Sequence, residues 1–212
     1  MTETIVAVKE RPILFSGEMV CTILDGRKTQ TRRVITPQPK DGLEVRYNAD
    51  NGHVLYGPEY LRSFVKCPYG VVGDRLWVRE TFGCLGNGMR VYAADADTDG
   101  TVPYLITGDG AGVGNGKPDK WMPSIFMPRS ASRINLEITG VRVERVQDIS
   151  PDDCLAEGID YKDCDPHNAH QYWRQEAYAK YGELWDKINK DRGYGWDVNP
   201  WVWVIEFKRL EK

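Results

Sequence analysis

The chain has 212 residues, of which 41% are hydrophobic and 28% charged, and its formal net charge is −3. This composition is normal for a globular protein, and a domain of this length can bury a core without disulfides or metal ions. No apolar run approaches the roughly 20 residues that span a bilayer, and the first nine residues lack the layout of a secretory signal. Five widely spread cysteines without a CxxC pair favour reduced thiols. We therefore expect one cytoplasmic domain covering residues 1–212.

The charges are distributed unevenly along the chain. Residues 27–33 contain four cations (Arg27, Lys28, Arg32 and Arg33), whereas residues 148–199 hold twelve acidic against six basic side chains. A local basic loop on an acidic body suggests a confined anionic ligand rather than tracking along a duplex. A solvated charged loop without a ligand explains the same residues.

The first half of the chain predicts strands, one helix and a hairpin. Residues 12–15 form a short apolar run typical of a strand, and apolar residues recur at helical spacing over Gly17–Leu24. Gly26 is well placed just past the end of that helix. Residues 36–58 contain turn residues between two alternating stretches, which indicates a hairpin. Leu76 and Val78 alternate with Trp77 and Arg79, which predicts a strand with two distinct faces over Arg75–Glu80.

The second half predicts an insertion, two more strands and two helices. Six glycines lie between Gly100 and Gly116, so residues 84–120 are interpreted as a flexible insertion. The remaining predicted elements are strands over Arg133–Val146 and Trp201–Phe207, a helix from Pro151 that is capped by Ser150 and ended by Gly158, and a helix over residues 168–190. Together the elements predict an α+β fold, a small β-barrel with peripheral helices.

Two motif-like segments predict neither a cofactor nor a metal. The glycine-rich run 108–117 lacks a phosphate-loop register, because Ala111 and Pro118 stand where glycine and a hydroxyl residue are needed. His167 and His170 lie close together, but a helix-capping turn explains them more simply than a zinc site does.

The strongest local chemical signal is the segment from Gly26 to Arg33. Lys28 and Thr31 are three residues apart, and a desolvated lysine can take the proton of a hydroxyl nucleophile. Crowding by the neighbouring arginines is expected to lower the pKa of Lys28. Glu157 stands in the last turn of a predicted helix, where the dipole disfavours a carboxylate, and this suits a residue kept for pairing or proton transfer. An ordinary basic turn and a chance placement remain the alternatives.

Ordered matches along nearly the whole chain resemble the ASCH domain family, which has a PUA-like β-barrel fold, and in particular its phage-type members of about 200 residues. The matching segments are residues 13–19, 23–34, 67–70, 73–80, 127–129, 132–134, 143–149, 156–159 and 199–207.

The family signature GxKxxExR is met by Gly26, Lys28 and Arg33, whereas Thr31 replaces the glutamate. Small N4-acetylcytidine amidohydrolases of the superfamily carry the same GRKTxTxR pattern. That resemblance implies catalytic roles for Lys28 and Thr31, with Glu157 as the best counterpart of the family's catalytic glutamate.

The resemblance implies an enzyme that hydrolyses the amide of an N4-acylated cytidine-type substrate without a cofactor. The residues expected to bind the substrate are Gly26, Arg27, Arg33, Trp77, Arg79 and Glu80. The alternative is a non-catalytic RNA-binding module, or a nuclease that uses the same cleft. The expected partner is a nucleoside or RNA, with no membrane and no obligatory protein partner.

Overall fold

The computed structural model describes residues 8–40, 44–49, 52–57, 63–86, 89–97, 99–106, 112–160 and 173–211. The helices are α1 (Gly17–Leu24), α2 (Pro151–Ala156) and α3 (Trp173–Asn189). The strands are β1 (Glu10–Leu14), β2 (Gln30–Val34), β3 (Val45–Asn48), β4 (His53–Tyr56), β5 (Ser63–Lys66), β6 (Arg75–Arg79), β7 (Phe82–Cys84), β8 (Arg90–Tyr92), β9 (Val102–Ile106), β10 (Gly112–Gly116), β11 (Asn135–Arg145) and β12 (Trp201–Leu210). The α+β prediction is confirmed.

A five-stranded sheet in the order β1-β6-β11-β12-β2 forms the centre of the molecule. Strands β1 and β6 are parallel, and the other neighbours are antiparallel. The strands predicted over Arg75–Glu80, Arg133–Val146 and Trp201–Phe207 therefore share one sheet, as expected. The basic segment differs from its prediction as a loop, since residues 30–34 form an edge strand.

The sheet is open within the described residues, so the predicted closed barrel is not observed. A bulge between Ile138 and Gly140 bends the long strand β11, but the edges β1 and β2 do not pair. Helix α1 connects these two edges and packs Val20 and Ile23 into the core beside them.

Local capping explains both short helices. The Ser16 hydroxyl accepts a hydrogen bond from Met19 N at the start of α1, and Ser150 accepts one from Asp153 N at the start of α2. Gly26 and Gly158 follow the helix ends with φ of 74° and 96°, a conformation that favours glycine. The predicted cap at Ser150 and the predicted helix ends at Gly26 and Gly158 are confirmed.

Two buried clusters lie on opposite faces of the main sheet. Strand β12 shows the alternation, because Trp203 and Ile205 belong to the α1 cluster while Val202 and Val204 pack against α2 and α3. The predicted long helix is confirmed over Trp173–Asn189, and its first residues, 168–172, lie outside the described residues. His167 and His170 also lie outside them.

Three smaller sheets surround this centre. The predicted hairpin is formed by β3 and β4, and β5, which the sequence did not predict, adds a third strand. The segment interpreted as an insertion contains the antiparallel pair β9–β10 and the strand β8, which pairs with β7 at the start of the segment. Its Leu85, Val91 and Val102 form a small buried cluster separate from the two main ones.

Candidate functional site

The loop between α1 and β2 is fixed by backbone hydrogen bonds at both ends. Thr22 O accepts hydrogen bonds from Arg27 N and Lys28 N, both at 2.9 Å, and Thr29 N donates to Ala156 O at 2.8 Å. These bonds attach the loop to the ends of α1 and α2 at the same time. Lys28 consequently faces the C-terminus of α2, although it is 129 residues away from Glu157 in the sequence.

Lys28 and Glu157 form a buried ion pair. Lys28 Nζ donates to Glu157 Oε2 and to the backbone oxygen of Glu157, both at 2.7 Å. The side chain of Lys28 is 0% exposed and that of Glu157 is 4% exposed. The carboxylate at the unfavourable end of α2 therefore has a cationic partner that offsets the helix dipole.

Burial lowers the pKa of Lys28 below its ordinary value, because the charged ammonium loses its hydration. Glu157 opposes this effect, whereas Arg33 and Arg32 add to it by repulsion. The expected lowering of the Lys28 pKa is thus found, with desolvation as its largest cause and repulsion by the arginines as a smaller one. Arg27 has a different environment, since its half-exposed side chain pairs with Asp25 at 3.2 Å and with Asp160 at 3.6 Å.

Arg32 is a site residue that the sequence reasoning missed. Its Nη1 lies 3.3 Å from Glu157 Oε1, and its other nitrogens bind Glu144 and Asp153. Arg142 bridges the same Glu144 and Asp153 carboxylates. Recognising 30–34 as a strand would have separated Arg32 from Arg33, since adjacent strand residues point to opposite faces.

Thr31 lies on the edge strand β2, opposite Ile205 of β12, and is buried with 3% exposure. It shares a cavity of about 110 Å³ with Glu157 and Arg33. Within the described part of the chain, the Thr31 hydroxyl has no hydrogen-bond partner. The two side-chain bonds of Lys28 go to Glu157 rather than to Thr31.

This cavity belongs to a wider cleft between α1 and α3. Two further cavities, of about 790 Å³ and 390 Å³, adjoin it, and Met19 and Leu184 line all three. Arg33 lines the largest one, where its guanidinium lies 5.1 Å from the Phe15 ring centroid. Arg27 lines the third cavity. Four of the residues singled out from the sequence therefore line one cleft: Arg27, Thr31, Arg33 and Glu157.

Trp77 and Arg79 are placed elsewhere. They lie on β6, which β11 and β12 separate from β2, and they do not line the cleft. The Trp77 ring packs against the guanidinium groups of Arg79 and Arg129, at 5.0 and 5.9 Å from its centroid. Arg79 also donates to Met127 O at 3.0 Å. The structure thus gives these two side chains local packing roles instead of the expected contact with a substrate in this cleft.

Glu80 and Gly26 also lie outside the cleft lining. Glu80 is 1% exposed, and both of its carboxylate oxygens accept hydrogen bonds from Arg133 at 2.9 Å. Arg133 in turn binds Asp95, so this network joins β6 to the segment after β8. Gly26 serves the turn that follows α1. Local sequence patterns predict which strand or turn contains such a residue. Only the tertiary structure determines which strands and turns lie next to one another.

No family model, no curated protein and no solved structure matches the chain. In the described ranges, no group of three or more metal-ligating side chains is found. None of the helices in the described part is long and apolar enough to cross a membrane.

Proposed function

We propose that the chain is a PUA-like protein of the ASCH type that hydrolyses the amide of an N4-acylated cytidine-type nucleoside. The observation that carries the proposal is the buried pair of Lys28 and Glu157, beside a cavity that also contains Thr31. These are the three residues that the resemblance implies for catalysis. The four described cysteines are free, in keeping with the cytoplasmic location that we also propose.

In the proposed reaction, the Thr31 oxygen attacks the acyl carbonyl carbon while its proton passes to the neutral amine of Lys28. The lowered pKa of Lys28 makes this neutral form more accessible than it is for an exposed lysine. Neutral Lys28 has two N–H donors, which can remain bonded to Glu157, and its lone pair must face the Thr31 hydroxyl when substrate enters. Collapse of the tetrahedral intermediate breaks the C–N bond of the amide. The leaving nitrogen takes up the proton that Lys28 received from Thr31 and departs as the amino group of the base, while the acyl group stays as an ester on Thr31. Water then hydrolyses this ester to the free acid.

Glu157 has two roles in this scheme, to orient Lys28 and to relay the proton from Lys28 to the leaving amine. Arg32 holds the second carboxylate oxygen of Glu157 at 3.3 Å and so fixes the direction of the first. Arg33 lines the same cavity and is the nearest candidate to stabilise the oxyanion or a ligand phosphate. Its Nε is buried and has no hydrogen-bond partner in the described part of the protein.

A non-catalytic binding module is the second candidate. The observation in its favour is that Lys28 is sealed from the cleft and makes both of its side-chain bonds to Glu157. In this case the pair fixes the cleft walls, and Arg27 and Arg33 contact phosphates of a bound RNA. A nuclease would use the same cleft.

The test is incubation of the purified protein with a panel of N-acylated nucleosides, followed by detection of the deacylated base. Thr31→Ala should abolish turnover and lower the melting temperature only slightly, because it removes one methyl group and a hydroxyl without a partner. Thr29→Ala is the matched control, since Thr29 is exposed in the same segment and should keep full activity. Equal turnover by the wild type and Thr31→Ala would exclude Thr31 as the nucleophile. No turnover of any acylated nucleoside by the wild type would favour the binding module.

A further inference from the structure

A fourth cavity, of about 160 Å³, lies beside the first residues of β1. Its lining includes three cationic side chains, those of Lys9, Arg11 and Lys66. Arg11 stands two positions before the buried Ile13, so it points to the core face of β1 at the rim of the sheet. Lys66 ends β5 and reaches the cavity from the three-stranded sheet. Cations from two separate sheets thus converge on one space.

The positive charge of this cavity is poorly compensated. Asp74 is the single carboxylate among the lining residues, and its oxygens already accept hydrogen bonds from Lys9 N at 3.0 Å and Val71 N at 3.3 Å. Within the described ranges, none of the three cationic side chains forms an ion pair. The Nε atom of Arg11 is buried and without a hydrogen-bond partner there. A buried donor of this kind is costly unless a ligand or water satisfies it.

Two separate turns contribute to the cavity lining, and each depends on a glycine. Gly52 and Gly70 have φ of 70° and 116°, which favours glycine at both positions. A Cβ at Gly52 would lie 2.7 Å from Val71 Cγ1, and one at Gly70 would lie 2.6 Å from Asp74 Oδ2. Both glycines therefore permit close packing against Val71 and Asp74, which line the same cavity.

We propose that this cavity binds a phosphate group. A guanidinium fork with a free Nε–H and two ammonium groups matches the several acceptor oxygens of a phosphate, and three cations against one carboxylate favour an anion. Gly70 lines this cavity, and the preceding residue, Tyr69, lines the Thr31 cavity. The phosphate site is therefore a neighbour of the cleft. The phosphate can come from a free phosphate monoester or from the backbone of a nucleic acid. The inference does not depend on the chemistry proposed for Thr31.

Calorimetric titration with inorganic phosphate, at constant ionic strength, tests the site. Wild-type protein should bind phosphate saturably, and the double variant Lys9→Gln with Lys66→Gln should bind at least tenfold more weakly. Both lysines are exposed, so the fold should tolerate the changes, and Lys208→Gln on the far end of β12 is the matched control. Absence of saturable binding, equal binding of acetate, or an unchanged double variant would overturn the proposal.

Two dinucleotides distinguish the source of the phosphate. One carries a 5′-phosphate, and the other contains only the internal diester. Preferential binding of the first, lost in the double variant, supports a terminal phosphate. Equal binding of both, again lost in the double variant, supports a nucleic-acid backbone. Binding of either that survives in the double variant overturns the site.

Discussion

Lys28 illustrates how one residue can have two opposed electrostatic influences. Desolvation lowers its pKa, and the Glu157 carboxylate at 2.7 Å raises it again. The net direction is downward, so the neutral amine that a general base requires becomes available at lower pH than for an exposed lysine. A buried pair of this kind is weak support for stability, because desolvation offsets much of the attraction.

The pH dependence of turnover should therefore report on this pair. If neutral Lys28 is the base, kcat/KM rises with pH through its lowered pKa and then levels off. Glu157→Gln removes the attraction that raises this pKa, so the rising limb of the residual activity should move to lower pH. Glu183→Gln, on an exposed position of α3, should leave the limb in place. The measurement is the pH profile of kcat/KM, and a limb that stays or moves upward in Glu157→Gln contradicts the assignment.

At the scale of elements, the end of α2 and the loop after α1 form one unit. A Cβ added at Gly158 would lie 2.9 Å from Thr22 Oγ1 and 3.4 Å from Lys28 Cβ. Gly158 thus permits the close approach that brings Lys28 to Glu157. Gly158 therefore has two roles. It ends helix α2, which is a local feature, and it allows Lys28 to reach Glu157, which is a tertiary contact.

Gly158→Ala should destabilise the protein by about 1–3 kcal/mol, because its φ of 96° is unfavourable for alanine and its Cβ meets Thr22. It should also reduce turnover or ligand binding by displacing the Lys28 loop. Gly193→Ala is the matched control, because its φ is 81° but nothing lies within 4 Å of the added Cβ. Chemical denaturation of both variants measures the difference. Equal losses of stability with unchanged function would show that the contact with Thr22 is unimportant.

The hairpin of β9 and β10 is expected to be dispensable for folding. Val102 is buried in a small cluster with Leu85 and Val91, which is separate from the clusters on the main sheet. Replacement of residues 98–119 by a short Gly-Ser linker should preserve a single cooperative unfolding transition, followed by circular dichroism. Complete loss of folded protein would show that this hairpin supports the central sheet. The mobility of the insertion stays a prediction.

At the scale of the whole molecule, the net charge of −3 opposes general attraction to nucleic acids. Cationic groups instead occur at defined places, with Arg27 and Arg33 lining the cleft. Lys28 is fully buried, so it is a poor candidate for a direct phosphate contact. The salt dependence of ligand affinity therefore distinguishes the binding module from the enzyme.

Under the binding-module alternative, affinity for single-stranded RNA should fall steeply as salt increases. Arg33→Gln should then reduce the slope of log affinity against log salt by about one. Lys208→Gln, at a position that lines none of the three cleft cavities, should change it little. Fluorescence anisotropy over a salt series measures the slope. Nucleoside binding that is insensitive to salt, with no measurable RNA affinity, would contradict the module and agree with the enzyme.

Features set by neighbouring residues could be predicted from the sequence alone. The caps at Ser16 and Ser150, the glycine ends of both short helices and the alternation in β6, β11 and β12 depend on local sterics and hydrogen bonds. The prediction that Lys28, Thr31 and Glu157 form one group rests on a resemblance to a family, and their catalytic roles remain predictions.

Other features depend on contacts between distant segments, which local patterns do not encode. The sheet is open within the described residues, and Trp77 and Glu80 contact neighbouring arginines instead of lining the cleft. The hold of Arg32 on Glu157 and the sealing of Lys28 required the chain to bring residues more than 120 positions apart into contact. Burial then determined the charge properties of the site, because desolvation depends on everything packed around a group and not on its neighbours in sequence.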